Sequence, residues 1–171
     1  DIKIYDNSPF AAWVARRVQQ GADEAPLPGS QKQNAILQRG ISAEADVLAK
    51  MLGKVRSEDG VIDFRSLPKS QDLVEFTCAQ LKMASFHHMI QASVECFVKS
   101  LGVTLHGRID LLRREGDRLT VIEIKDSPIA SPEHIKQALF YRYILDSMGF
   151  LCSNTVIVVT TGKGEERFQV S

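Results

Sequence analysis

Cysteine is scarce: only Cys78, Cys96 and Cys152 occur in 171 residues. An odd number, widely spaced, does not build a disulfide framework and fits free thiols in a reducing compartment. No apolar run approaches the roughly 20 residues that span a bilayer, and the N-terminus has no signal-peptide pattern. Net charge is lacking too, since 21 Lys+Arg balance 21 Asp+Glu. The molecule as a whole therefore exerts no long-range pull on a polyanion, and any such partner must be held by a local patch or through a metal. Repeats and low-complexity tracts are absent. The expectation is a soluble, cytoplasmic protein without a membrane partner. The first residue, Asp1 rather than Met, suits a domain excised from a larger protein.

What is present is ordinary globular composition, 44% hydrophobic and 25% charged, in a chain long enough to bury a core unaided. We expect a single domain over residues 1–171, with an N-terminal helix and loop over 1–30 and the core over 31–171. Ser8-Pro9 reads as an N-cap followed by Pro at the first helical position, opening a helix to Val18 that Phe10 and Trp13 anchor. Residues 21–30, rich in Pro and Gly, form a loop. The pattern predicts a helix over 32–52 with Leu37, Ile41, Leu48 and Leu52 as its apolar stripe. It then predicts a short strand over 61–64, a helix over 70–85, and strands over 89–98, 103–114 and 119–125. Pro132 opens a helix that Gly149 ends, and the β-branched run 155–160 suits a buried strand. That order points to an α/β fold, one mixed β-sheet flanked by helices.

The most informative stretch is 107–125, GRIDLLRREGDRLTVIEIK. Turn residues at 115–118 separate two alternating runs, as in a hairpin. A two- or four-residue loop places Asp110 opposite Glu123 and Arg108 opposite Lys125. Alternation sets Glu123 and Lys125 on one face and Ile122 and Ile124 on the other. Opposed residues have Cβ atoms about 4.5–5.5 Å apart, where two carboxylates repel by about 1–3 kcal/mol. A divalent cation between them reverses that sign. Leu112, Leu119 and Val121 share the face, which is thus half apolar instead of a solvated charge ladder. Glu44, three residues after Ile41 and four before Leu48, should point inward, where an unpaired carboxylate is costly. Gly40 would let the helix backbone approach a strand or substrate closely. Gln137 and Tyr141 share one helix face, which His134 and Leu145 extend. His87-His88 lacks zinc spacing, and Cys96 has no placed base.

Together these residues resemble the PD-(D/E)XK nuclease superfamily, in particular its RecB-like branch. The fragments are Gly40 with Glu44, Gly107-Arg108-Ile109-Asp110, Glu123-Ile124-Lys125, and Gln137 with Tyr141, in the family's order and on its element types. The resemblance implies a restriction-endonuclease-like fold and metal-dependent hydrolysis of phosphodiester bonds in nucleic acid, DNA before RNA. Carried over, Glu44, Asp110, Glu123 and the Ile124 carbonyl would hold Mg²⁺ or Mn²⁺. Asp110, Glu123, Lys125, Gln137 and Tyr141 would form the catalytic set, and Arg108 and His134 would contact substrate. A helicase or another domain of a larger protein would be a natural partner. Ile109 departs from the signature proline, and Glu44 stands where many RecB-like members have His. Relatives with an iron–sulfur cluster use four cysteines, so none is expected here. The rival readings are a non-catalytic nucleic-acid-binding module of the same fold and an RNA endonuclease.

Overall fold

A computed structural model describes residues 31–53, 60–68, 72–100, 102–161 and 164–170. The helix expected over 8–18, the loop over 21–30 and the anchors Phe10 and Trp13 lie outside the described residues. The chain divides into two units, Asp1–Arg39 and Gly40–Ser171. The second carries the sheet and every candidate site residue.

Six strands lie side by side in chain order: β1 (Val61–Asp63), β2 (His88–Val98), β3 (Val103–Glu115), β4 (Arg118–Lys125), β5 (Cys152–Thr161) and β6 (Gly164–Val170). β1–β2 and β4–β5 are parallel, and the other neighbours are antiparallel. Parallel neighbours need a crossover, which α2 (Leu73–Met83) and α3 (Pro132–Ser147) supply. Among the described residues another helix, α1 (Gln31–Leu52), precedes the sheet. The expected mixed α/β fold is the one found.

Local chemistry explains the helix ends. Asp72 accepts hydrogen bonds from the backbone N–H groups of Val74 and Glu75, both at 3.0 Å, and so caps α2. Ser131 caps α3, with Pro132 in the first turn. Between β3 and β4 the turn is Gly116-Asp117, with Gly116 at φ +64° as the first central position of a type II′ turn requires. β6 went unpredicted because GEERFQV alternates no apolar face. It is a mostly exposed edge strand whose place comes from its ladder with β5.

The sheet buries both faces. On one, Leu119 and Val121 of β4 join Met89, Ala92, Val94, Ile109 and Leu112 beneath α2 and α3. On the other, Ile122 and Ile124 join Ile90, Leu111 and Val158 beneath Val47 and Leu48 of α1. Thus the predicted placement of Ile122 and Ile124 on the face opposite Leu119 and Val121 is what the fold contains. The stripe of α1 is shifted from expectation: Ile41 is 52% exposed, whereas Val47 and Leu48 are buried. Glu44, Val47, Leu48 and Met51 form the stripe, still at helical spacing.

One irregularity matters for function. Alternation should place Ile109 and Leu111 on the same face, and likewise Ala92 and Ile90, yet each pair is split between the two cores. The change of phase falls on Gln91 and Asp110. The β2–β3 ladder pairs Ile90 with Leu111 and Ala92 with Ile109, skipping the rung between. Gln91 takes φ +58° there, a left-handed conformation uncommon for a residue with a side chain.

Candidate functional site

The predicted hairpin register holds along the ladder, from Glu115–Arg118 to Leu111–Ile122. It stops one rung short of Asp110 and Glu123, so their expected pairing is corrected. Arg108 pairs with Ser93 on β2 instead of Lys125. The physical reason lies in Asp110 itself. Its Oδ2 accepts a hydrogen bond from the Ile124 N–H at 2.8 Å, so a side chain takes a β4 donor where the ladder has ended.

Asp110 connects two groups of polar side chains. Gln91 Nε2 donates to Asp110 Oδ1 at 3.2 Å and to Glu44 Oε1 at 2.5 Å. The amide thereby bridges two carboxylates from different elements. On β4, Lys125 Nζ forms an ion pair with Glu123 Oε1; Glu123 is fully buried, and the Lys125 side chain keeps 18% of its exposure. On α3, Gln137 Nε2 donates to the Tyr141 hydroxyl at 2.7 Å. The buried Gln137 Oε1 has no hydrogen-bond partner among the described residues.

Burial raises the Glu44 carboxyl above its ordinary range, the Asp110 charge adds to the rise, and Gln91, Arg65 and Arg108 oppose it. Burial likewise raises Asp110, against the pull of Lys125, the Ile124 N–H, Gln91 and Arg108. Tyr141 is raised far above a free phenol, first by burial and then by Glu123, so it remains a neutral hydroxyl. These are the responses of like charges drawn together out of water.

The structure brings Glu44 to Asp110, Lys125 to Glu123, and Gln137 to Tyr141. Arg108 is exposed on β3, and its charge is felt at Glu44, Asp110 and Tyr141. His134 has a local partner: its Nδ1 accepts from the Ser131 N–H at 3.1 Å, completing a capping box. Ile124 is buried and contributes the N–H described above. Two neighbours escaped the sequence reading. Gln91 is a polar residue inside the apolar run MIQASV, which is the signal that marks it. Arg65 is held by Asp63 at 2.7 Å and acts on Glu44 through its charge, which nothing in the chain order discloses.

Gly40, expected to permit close approach of a strand or substrate, is not packed against a strand. A Cβ on Gly40 would meet nothing within 4 Å, whereas one on Gly107 would lie 2.7 Å from both Cδ1 and Cε1 of Tyr141. Gly107 thus lets the Tyr141 ring lie against β3. Gly107→Ala is expected to displace that ring and destabilise the fold by about 1–3 kcal/mol. A thermal melt should fall accordingly, and an unchanged melt would show that the ring moves freely.

Among the described residues no three His, Cys, Asp or Glu side chains are gathered into a ready metal-binding cluster. Gln91 and Lys125 instead engage the carboxylates. The donors available, three carboxylates and backbone carbonyls, are the hard oxygens that suit Mg²⁺ or Mn²⁺ and not soft metals. Also among the described residues, no helix is long and apolar enough to cross a membrane, and Cys78, Cys96 and Cys152 are free thiols.

Comparison with curated proteins gives no match. Among solved structures, the crystal structure of SSO0001 is similar over 76% of each chain, at 15% identity and a TM-score of 0.40, too distant to bear on function. The family profile of the PD-(D/E)XK nuclease superfamily matches residues 6–161, which include Glu44, Asp110, Glu123, Lys125, Gln137 and Tyr141. With that match over most of its length, the chain belongs to the PD-(D/E)XK nuclease superfamily.

Proposed function

We propose that this chain is a divalent-cation-dependent nuclease that hydrolyses phosphodiester bonds, of DNA in preference to RNA, by in-line attack of water. The observation that carries the reading is the pairing of Asp110 with Glu44 through one amide, next to the buried Glu123–Lys125 ion pair. A fold seeking stability alone gains little from holding Asp110 against Glu44 and burying Glu123 with Lys125. A site that binds a hard cation and a phosphate requires them.

Glu44, Asp110, Glu123 and the Ile124 carbonyl would hold Mg²⁺ or Mn²⁺, which when bound polarises a phosphodiester and activates water. The chain's own groups supply the rest. Lys125, kept in place by Glu123, presents an ammonium to the charge that develops on the phosphate. Tyr141, neutral because of its burial, offers a hydroxyl proton, and Gln137 fixes the orientation of that hydroxyl. Arg108, exposed beside the carboxylates, is placed to contact the substrate backbone without reading its bases.

The test is incubation of end-labelled single-stranded DNA, duplex DNA and RNA with Mg²⁺, Mn²⁺ or EDTA. Cleavage that needs the cation and is abolished by EDTA is expected, strongest on DNA. Its product ladder distinguishes end-wise from internal cutting. Cleavage of RNA alone would replace the DNA reading. Binding of nucleic acid with no cleavage under any condition would replace catalysis with a binding module.

A further inference from the structure

Gln91 lies outside the signature residues, yet it makes the contact that joins two of them. It is 7% exposed, in the interior of β2, at the one rung that the β2–β3 ladder skips. Its backbone adopts φ +58°, a conformation retained in folded proteins where the surroundings over-determine it, commonly at functional sites. Glu44 Oε1 and Asp110 Oδ1 are acceptors when ionised, and an amide NH₂ can donate one hydrogen to each. The single atom Nε2 therefore stands 2.5 Å from one carboxylate and 3.2 Å from the other. Hard divalent cations bind oxygens at about 2.0–2.6 Å. An ion shared by the same two oxygens would fall where that nitrogen already is.

We propose that Gln91 is a positioning residue that holds the cation's place between Glu44 and Asp110, and that loading the site requires its amide to withdraw. The inference rests on the cation-dependent reading above. In the cation-free protein the amide lets two acidic side chains stay together without a counter-ion. It is thereby a built-in competitor that sets how much cation is needed to arm the site.

Calorimetric titration of the full chain with Mn²⁺ tests this, comparing wild type, Asp110→Asn, Gln91→Gly and Gln91→Asn. Glycine accepts the left-handed backbone without strain and removes the amide. Asparagine also tolerates it but is one methylene too short to bridge. Gln91→Gly is expected to bind Mn²⁺ at least about tenfold more tightly, because both competing hydrogen bonds to the carboxylates are lost. Gln91→Asn should bind several-fold more tightly, and it decides the matter if the glycine variant does not fold. A merely structural glutamine would lower the melting temperature and leave Mn²⁺ affinity equal or weaker; either affinity result overturns the proposal. Wild type binding Mn²⁺ and Asp110→Asn failing to do so upholds the underlying cation site independently of Gln91. Wild type and Asp110→Asn behaving alike removes the site and the proposal together.

Discussion

Asp110→Asn is expected to lower cation-dependent cleavage by about 10³-fold or more while leaving the cation-free fold at least as stable as wild type. The two effects have opposite signs because Asp110 is held against repulsion. Its carboxyl is raised by burial, and its charge in turn raises Glu44. Asparagine keeps an oxygen to accept the Ile124 N–H, gives up the weaker bond from Gln91, and removes the charge. The gain should be about 1 kcal/mol, or roughly 2–4 °C in a chain of this size. The pH dependence follows. Carboxyls whose folded pKa exceeds the unfolded value retain protons that the unfolded chain has already lost. Their contribution to stability is fully present below the unfolded values, near 3.8 for Asp and 4.5 for Glu. It is lost as pH rises through the folded values. Melts in EDTA between about pH 4 and 8 should therefore show wild type losing ground to Asp110→Asn as pH rises. A variant less stable throughout would mean that Asp110 belongs to a structural ion pair.

Lys125→Ala should behave in the contrary way. Removing the ammonium takes the Lys125 ion pair away from Glu123, a carboxylate with no exposure at all. Deleting one member of a buried pair destabilises by about 3 kcal/mol or more, roughly 6–12 °C here. Cleavage should be abolished while Mn²⁺ affinity persists, because the carboxylates remain. Saturating Mn²⁺ should recover part of the lost melting temperature by giving Glu123 a positive neighbour again. Cleavage retained in this variant would remove Lys125 from the catalytic set. A melt unchanged in EDTA would show that Glu123 does not depend on it.

The hairpin shows what patterning can and cannot specify. Turn chemistry at Gly116-Asp117 and strict alternation in LTVIEIK fix register and facing, because a side-chain period of two leaves one choice once a face is buried. The same rule fails at Asp110, where Ile109 and Leu111 serve different cores. Alternation presumes an unbroken ladder, and the change of phase depends on Gln91 adopting a conformation that residue type alone does not demand. On α1, several apolar residues offered competing stripes. A stripe through Ile41 and one through Val47 differ by a slight rotation of the helix, and both leave Glu44 beside the buried side chains. Gly40 and Gly107 were equally legible as glycines. Only tertiary packing reveals that the aromatic ring presses on the latter. β6 was illegible because its pairing partner, not its own apolar pattern, defines it.

The skipped rung has a consequence for how the protein breathes. Below it, Ile90 and Leu111 belong to the core under α1; above it, Ala92 and Ile109 belong to the core under α3. Each of β2 and β3 is thus anchored on both sides within three residues. Neither core can open locally without loosening the strand pair that the other needs, which makes the two cores one cooperative unfolding unit. Asp110 sits at the point where they are stitched together. Its position is therefore tied to the slowest-opening part of the sheet, and backbone amides flanking it should be among the last to exchange with solvent.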